Sequence, residues 1–209
     1  YGKPILQDLG NTKSVVVTNA WDPVTGRLQR TALDREDISG TEIDMNYKYN
    51  PAGNVTSIAD TPTATAVASQ IERQCFTYDG MRRLTDAWST KAAQCQTASA
   101  VTQAVVAGPS PYWQQFTYDS VGNRTKKIVR TTAGATTTVN TFGAVNAGPH
   151  RRTQAQTTSP TGPVVTTGFQ YDGAGNQKTT MVGANQATLS WDAEGELASI
   201  TGTAAAGKN

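Results

Sequence analysis

The sequence predicts an all-β protein built from tandem β-hairpins, with almost no helix. Three observations carry this: a recurring aromatic–aspartate turn, apolar residues spaced two apart before each turn, and a polar complement dominated by uncharged residues. Only 16% of the 209 residues are charged, against roughly 25% in ordinary soluble domains. The polarity comes instead from Thr, Ser, Gln, Asn and Gly, and β-branched polar residues suit extended hydrogen-bonded surfaces better than helix faces.

Six segments align on an aromatic followed by Asp or Asn. They span 21–28, 49–55, 78–84, 118–124, 171–177 and 191–197, and their aromatics are Trp21, Tyr49, Tyr78, Tyr118, Tyr171 and Trp191. From aromatic to aromatic the intervals are 28, 29, 40, 53 and 20 residues. The units match while the connectors vary, so the 209 residues read as a single repeat segment.

Each unit reads as a hairpin for physical reasons. Phe76 and Tyr78, Phe116 and Tyr118, and Phe169 and Tyr171 sit two apart, which puts both rings of a pair on one face of a strand. Asp22, Asn50, Asp79, Asp119, Asp172 and Asp192 then open the turn, since a short side-chain oxygen accepts a backbone N–H two residues on. Gly53, Gly122, Gly175 and Gly195, three residues later, supply a left-handed conformation closing a four-residue turn with a bulge. Gly26 follows after one extra residue, and Arg82 stands where Gly is expected; both read as turn variants.

Between units lie Ala/Thr/Ser/Gly stretches at 61–70, 97–110 and 131–168, which taken alone resemble linker. The alternation in 136–142 and 163–171 identifies much of 131–168 as further hairpins without the aspartate turn. The stretch 97–110 is expected to be a loop. No segment sustains a helical period with caps.

The six units resemble the Rhs/YD-repeat family, which includes bacterial Rhs polymorphic toxins, the C component of insecticidal toxin complexes, and animal teneurins. The runs Cys75-Phe76-Thr77-Tyr78-Asp79-Gly80-Met81-Arg82-Arg83-Leu84-Thr85-Asp86-Ala87-Trp88 and Pro111-Tyr112-Trp113-Gln114-Gln115-Phe116-Thr117-Tyr118-Asp119 look especially like actinobacterial members. The resemblance implies an antiparallel ribbon that curves or spirals into a partial shell or barrel around a C-terminal toxin cargo. It also implies a core domain, carrying paired Asp-Pro-x-Gly motifs for self-cleavage, that closes the shell. Here only Asp22-Pro23-Val24-Thr25-Gly26 approaches that motif, with an extra residue, so neither autoproteolysis nor a toxin domain is expected within these residues.

Other chemistry is weakly signalled. Five aspartates at equivalent turn positions read as turn caps, because catalysis needs one converging cluster; no enzyme activity, cofactor or metal site is expected. Calcium loops need closely spaced oxygen ligands, which the sequence lacks. His150, the only histidine, reads as a surface loop residue. The sequons at Asn54 and Asn123 coincide with turn positions that want Asn anyway. Cys75 and Cys95 are the only cysteines, and an even count in an exported protein favours a disulfide over two buried thiols.

A net charge of +2 gives no reason to expect nucleic acid as a partner, and no apolar run approaches the roughly 20 residues that span a bilayer. The chain starts Tyr1-Gly2-Lys3 without Met and reads as a piece of something longer. The resemblance implies as partners the rest of its own polypeptide, namely the toxin cargo and core domain, at a secreted or cell-surface location. The alternative is a module binding carbohydrate or a partner through exposed turn aromatics. Ring exposure separates the two.

Overall fold

The computed structural model describes residues 2–143 and 148–202. It contains fifteen β-strands whose order in the sheet is their order in the sequence, with every registered pair antiparallel. Among the described residues the helical content is two 3-10 turns, Ala98–Ala100 and Gln103–Val105. The all-β, near helix-free expectation holds.

The protein divides into two compact units, Tyr1–Gln114 and Gln115–Asn209. The first holds β1 (Leu6–Asp8), β2 (Val15–Trp21), β3 (Leu28–Arg35), β4 (Thr41–Tyr49), β5 (Val55–Asp60), β6 (Glu72–Tyr78) and β7 (Leu84–Thr90). Strand β8 (Trp113–Tyr118) runs across the division. The second holds β9 (Arg124–Thr131), β10 (Gly134–Phe142), β11 (Arg152–Thr158), β12 (Val165–Tyr171), β13 (Gln177–Val182), β14 (Asn185–Trp191) and β15 (Leu197–Gly202).

The hairpins read from 131–168 are present as β9 to β12, although 144–147 lie outside the described residues. The β9–β10 turn runs through Thr132 and Ala133 to Gly134 (φ +122°), a conformation open to glycine at little cost.

Most strand residues are only half-buried, as a sheet rich in Thr and Gln should be. The first unit concentrates its core at one place. Ser57, Cys75 and Trp88 lie opposite one another across β5, β6 and β7 and so share a face. On that face Cys75 and Trp88 pack with Val101 and Trp113, and Cys95, Ala98, Val105 and Val106 close around them.

The segment between β7 and β8 is therefore not a linker-like loop. It folds back as a cover because Cys95 is bonded to Cys75, with Cα atoms 5.8 Å apart. Arg73 Nε donates to Ala92 O (3.2 Å) and Lys48 Nζ to Gln94 Oε1 (3.2 Å). Ser89 ties the far end, donating its N–H to Tyr112 O and accepting the Ala107 and Tyr112 N–H groups. Burial beside Glu72 pushes the Tyr112 phenol up to about 12. Trp88 and Trp113 anchor this core, and the repeat pattern gave them no role.

Closing a loop of this size restricts the unfolded state by about 3 kcal/mol. Cys95→Ser is expected to lower unfolding stability by roughly that amount and to raise amide exchange first in residues 92–107. A denaturant titration together with hydrogen exchange checks both; an unchanged midpoint would count against the staple.

The repeat turn and its aromatic latch

The turns share one backbone scheme. Asp79 N–H donates to Arg83 O, and Arg82 N–H donates back to Asp79 O, both at 3.0 Å; the Asn50, Asp119, Asp172 and Asp192 turns repeat both bonds. In the longer Trp21 turn the partners of Asp22 move one residue on, to Arg27 O and Gly26 N–H. The carboxylate then fills the loop interior. Asp79 Oδ1 accepts the N–H groups of Met81 and Arg83, Asp119 those of Val121 and Asn123, and Asp192 those of Glu194 and Glu196. Asn50 Oδ1 does the same for Asn54 N–H, and Asp172 Oδ1 for Asn176 N–H.

At the third turn position after Asp, Gly53, Gly122, Gly175 and Gly195 have φ between +80° and +97°. Arg82 holds the same position at φ +63°, the one positive-φ residue among the described residues that is not Gly. A left-handed residue with a Cβ carries a strain of about 1 kcal/mol in that slot. The Arg27 and Arg151 guanidiniums lie against Gly53 and Gly175.

Five of the turns carry a bulge at the aromatic. The register shifts between Ala20 and Trp21, Lys48 and Tyr49, Thr77 and Tyr78, Gln170 and Tyr171, and Ser190 and Trp191. The aromatic faces the first residue of the return strand: Leu28, Val55, Leu84, Gln177 and Leu197 respectively.

The polar tips of these rings make the connection between units that the sequence did not disclose. Tyr49, Tyr78 and Tyr171 hydroxyls donate to Leu28 O, Val55 O and Arg152 O, each at 2.8 Å. Trp21 Nε1 donates to Pro4 O (3.2 Å) and Trp191 Nε1 to Gln177 O (2.9 Å). Apart from Pro4, which lies just before β1, every acceptor is the first residue of the preceding return strand. In each case the ladder between the two strands stops two residues further along that strand, opposite the residue three before the aromatic. Those last pairs are Leu6–Thr18, Arg30–Asn46, Ser57–Cys75, Gln154–Gly168 and Thr179–Thr188. The ring tip takes the carbonyl that the ladder leaves behind.

The rule uncovers a seventh unit. In the β9–β10 pair the last rung is Lys126–Val139, which puts Phe142 in the aromatic position, with the usual bulge between Thr141 and Phe142. Phenylalanine has no donor, and Asn140 Nδ2 instead donates to Arg124 O, the first carbonyl of β9 (2.9 Å). Gly143 N–H donates to Arg151 O, as the aspartate does elsewhere. The 53-residue gap thus resolves into intervals of 24 and 29.

The six turn aromatics are half-buried. Cations cover several faces: Lys3 Nζ lies 4.8 Å from the Trp21 ring centre, and the Arg27 and Arg151 guanidiniums lie 5.5 and 5.7 Å from Tyr49 and Tyr171. At these three rings a cation lies over an aromatic face, where the ring quadrupole attracts it. His150 is an exposed loop residue whose Nδ1 meets Asn123 Oδ1 (2.9 Å). On the face opposite Trp88, Val15, Leu33, Ile43, Met45 and Ile58 line a groove of about 600 Å³. Among the described residues no cluster of three or more metal-ligating side chains occurs, and no helix is long and apolar enough to cross a membrane.

The carboxylates sit below their ordinary value of 3.8 at Asp22, Asp79, Asp119 and Asp172. For Asp22, Asp79 and Asp172 the main cause is a backbone N–H, from Thr25, Arg83 and Asn176 respectively. At Asp119 partial desolvation works upward, and the Asn123 side-chain and backbone donors together outweigh it. A depressed carboxylate stabilises the fold fully above its unfolded value and loses that contribution as pH falls through the folded one.

Two outcomes are expected. Tyr78→Phe removes the donor to Val55 O and should cost about 1 kcal/mol in denaturant unfolding, with a correctly folded product. Thermal melts should show stability dropping as pH falls below 3.8. Asp172→Asn keeps an acceptor oxygen, as Asn50 does, without the titration, so its melting temperature should fall less steeply; an identical slope would refute the assignment.

No family model matches the sequence. It is 29% identical over 220 residues to toxin subunit YenC1 of Yersinia entomophaga, covering 99% of this chain and 22% of that protein. It is 25% identical over 213 residues to YenC2 of the same organism, covering 95% and 21%. The chain thus spans about a fifth of the length of these curated relatives. Two solved structures resemble the fold at 23% identity. One is the crystal structure of TcdB2–TccC3–Cdc42, with a TM-score of 0.59 over 90% of this chain and 9% of that one. The other is the Photorhabdus luminescens Tc holotoxin pore, at 0.60 over 94% and 10%. What this protein shares with those of known role is therefore the fold of Tc toxin structures and a sequence likeness to Yersinia toxin subunits.

Proposed function

We propose that this protein is a non-catalytic wall segment of a secreted or cell-surface toxin subunit, one stretch of a longer Rhs-type repeat protein that encloses or presents a C-terminal cargo. The observation that carries the reading is the latch with its fixed register. At Tyr49, Tyr78, Tyr171 and Trp191 the hairpin is joined to the one before by the same ring-to-carbonyl bond and the same last rung, which fits units that add in series. The turn carboxylates are engaged by their own loop N–H groups, which fits structural use. Similarity to toxin subunits along 99% of the sequence supports the setting. The whole segment acts as one repeat domain in this reading, and its partners are the core domain and cargo of its own polypeptide.

The carbohydrate-binding alternative loses ground at specific residues. A sugar ring stacks on an aromatic face, and Trp21, Tyr49 and Tyr171 offer theirs to Lys3, Arg27 and Arg151.

The test uses the natural full-length protein that carries this segment. Tyr171→Ala combined with Trp191→Ala opens two successive latches in the second unit. Limited proteolysis should then cut the residues that follow the segment faster than in the unmodified protein. Equal cleavage rates, with the variant shown to be unlatched by hydrogen exchange, would reject the wall role.

A further inference from the structure

Tyr49, Tyr78 and Trp191 each stand between the first residues of two return strands: the one faced across the bulge, and the one whose carbonyl the ring takes. These pairs are Val55 and Leu28, Leu84 and Val55, and Leu197 and Gln177, all uncharged. Tyr171 has Gln177 and one arginine, Arg152. At Phe142 both residues are arginine. Phe142 faces Arg152 across its bulge, and Asn140 Nδ2 takes Arg124 O in place of the missing ring donor. The unit whose ring has no polar tip is thus flanked by two cations.

Arg124 and Arg152 line a common recess of about 360 Å³ together with Tyr118, Asn140 and Phe142, all within the second unit. Asn140 is buried, and its Oδ1 meets Arg152 Nη1 (3.5 Å). The Arg152 guanidinium lies 4.2 Å from the Phe169 ring centre, and that of Arg124 lies 5.6 Å from the Phe116 ring centre. These rings hold both cations in place before a ligand arrives, which lowers the ordering cost of binding. Among the described residues no carboxylate pairs with either arginine. Strands β9 to β13 contain no Asp or Glu at all.

Two permanent cations in one recess, with no counter-charge beside them, attract an anion. Guanidiniums recognise a carboxylate or phosphate through forked hydrogen bonds. The Phe142 and Tyr118 rings add an apolar wall next to that charge. The recess lies at the small end of ligand pockets, which run from roughly 300 to 1,000 Å³. We propose that Arg124 and Arg152 form a binding site for a small aryl oxyanion, a carboxylate or phosphate monoester whose ring packs against Phe142.

Calorimetric titration of the protein with phenyl phosphate, benzoate, inorganic phosphate and benzyl alcohol tests the site. At least one aryl anion should bind, inorganic phosphate should bind several-fold more weakly for want of a ring, and uncharged benzyl alcohol should not bind. Tighter binding of phenyl phosphate supports a phosphate monoester as the natural ligand, and tighter binding of benzoate a carboxylate. Arg124→Gln and Arg152→Gln should each weaken the better ligand about 10- to 100-fold, the loss of a hydrogen bond from a charged donor. The Arg124 side chain is exposed, so its variant should keep a cooperative melting transition. Lys178→Gln, which removes an exposed basic side chain of β13 outside the recess, should leave the affinity unchanged. Failure of both aryl anions to bind, binding of benzyl alcohol, inorganic phosphate as tight as phenyl phosphate, or an equal loss from Lys178→Gln would each overturn the proposal.

Discussion

The structure depends on a hydrogen bond from the tip of a turn aromatic to a carbonyl of the preceding hairpin. The bulge at the aromatic creates the need for it. A bulge twists the strand and ends regular pairing, which leaves the first carbonyl of the return strand beyond the last rung. A side chain long enough to reach back one strand, with a donor at its end, supplies the missing partner. Tyr and Trp are the two aromatics that fit this description. Phe142 shows the constraint from the other side, because without a donor in the ring the bond to Arg124 O passes to Asn140.

The latch also sets register. Side chains in a strand alternate with period two, so a slip of one residue exchanges the faces of the sheet. Tying the ring to one particular carbonyl, with the last rung always two residues along, removes that freedom unit by unit. This matters most in a protein whose strands are polar on both faces. Thr, Gln and Ser alone specify register weakly, and the half-buried strands of the second unit have few large apolar side chains to add to it.

The first unit adds a different device. Cys75 and Trp88 stand opposite each other on adjacent strands, and the residues that cover them come from a stretch poor in large side chains. Val101, Val105 and Val106 supply the apolar contacts, and the disulfide holds the segment in place. A deep core therefore forms where an insertion folds back, while the ordinary repeats rely on half-buried rings and hydrogen bonds.

The sequence by itself determined what depends on near neighbours. The hairpins, the aspartate turns, the positive-φ glycines and the bulges follow from residues within one turn, and the cysteine count pointed to the disulfide. Tertiary structure decided what depends on residues brought together from different units. The acceptor of each ring lies 17 to 23 residues upstream for Trp21, Tyr49 and Tyr78, and no local pattern marks a backbone carbonyl. The unit at Phe142 was hidden because both of its marker residues are replaced and only the register reveals the position. Residues 97–110 look like linker by composition, and only the docking of their valines on Trp88 and Trp113 makes them part of the core.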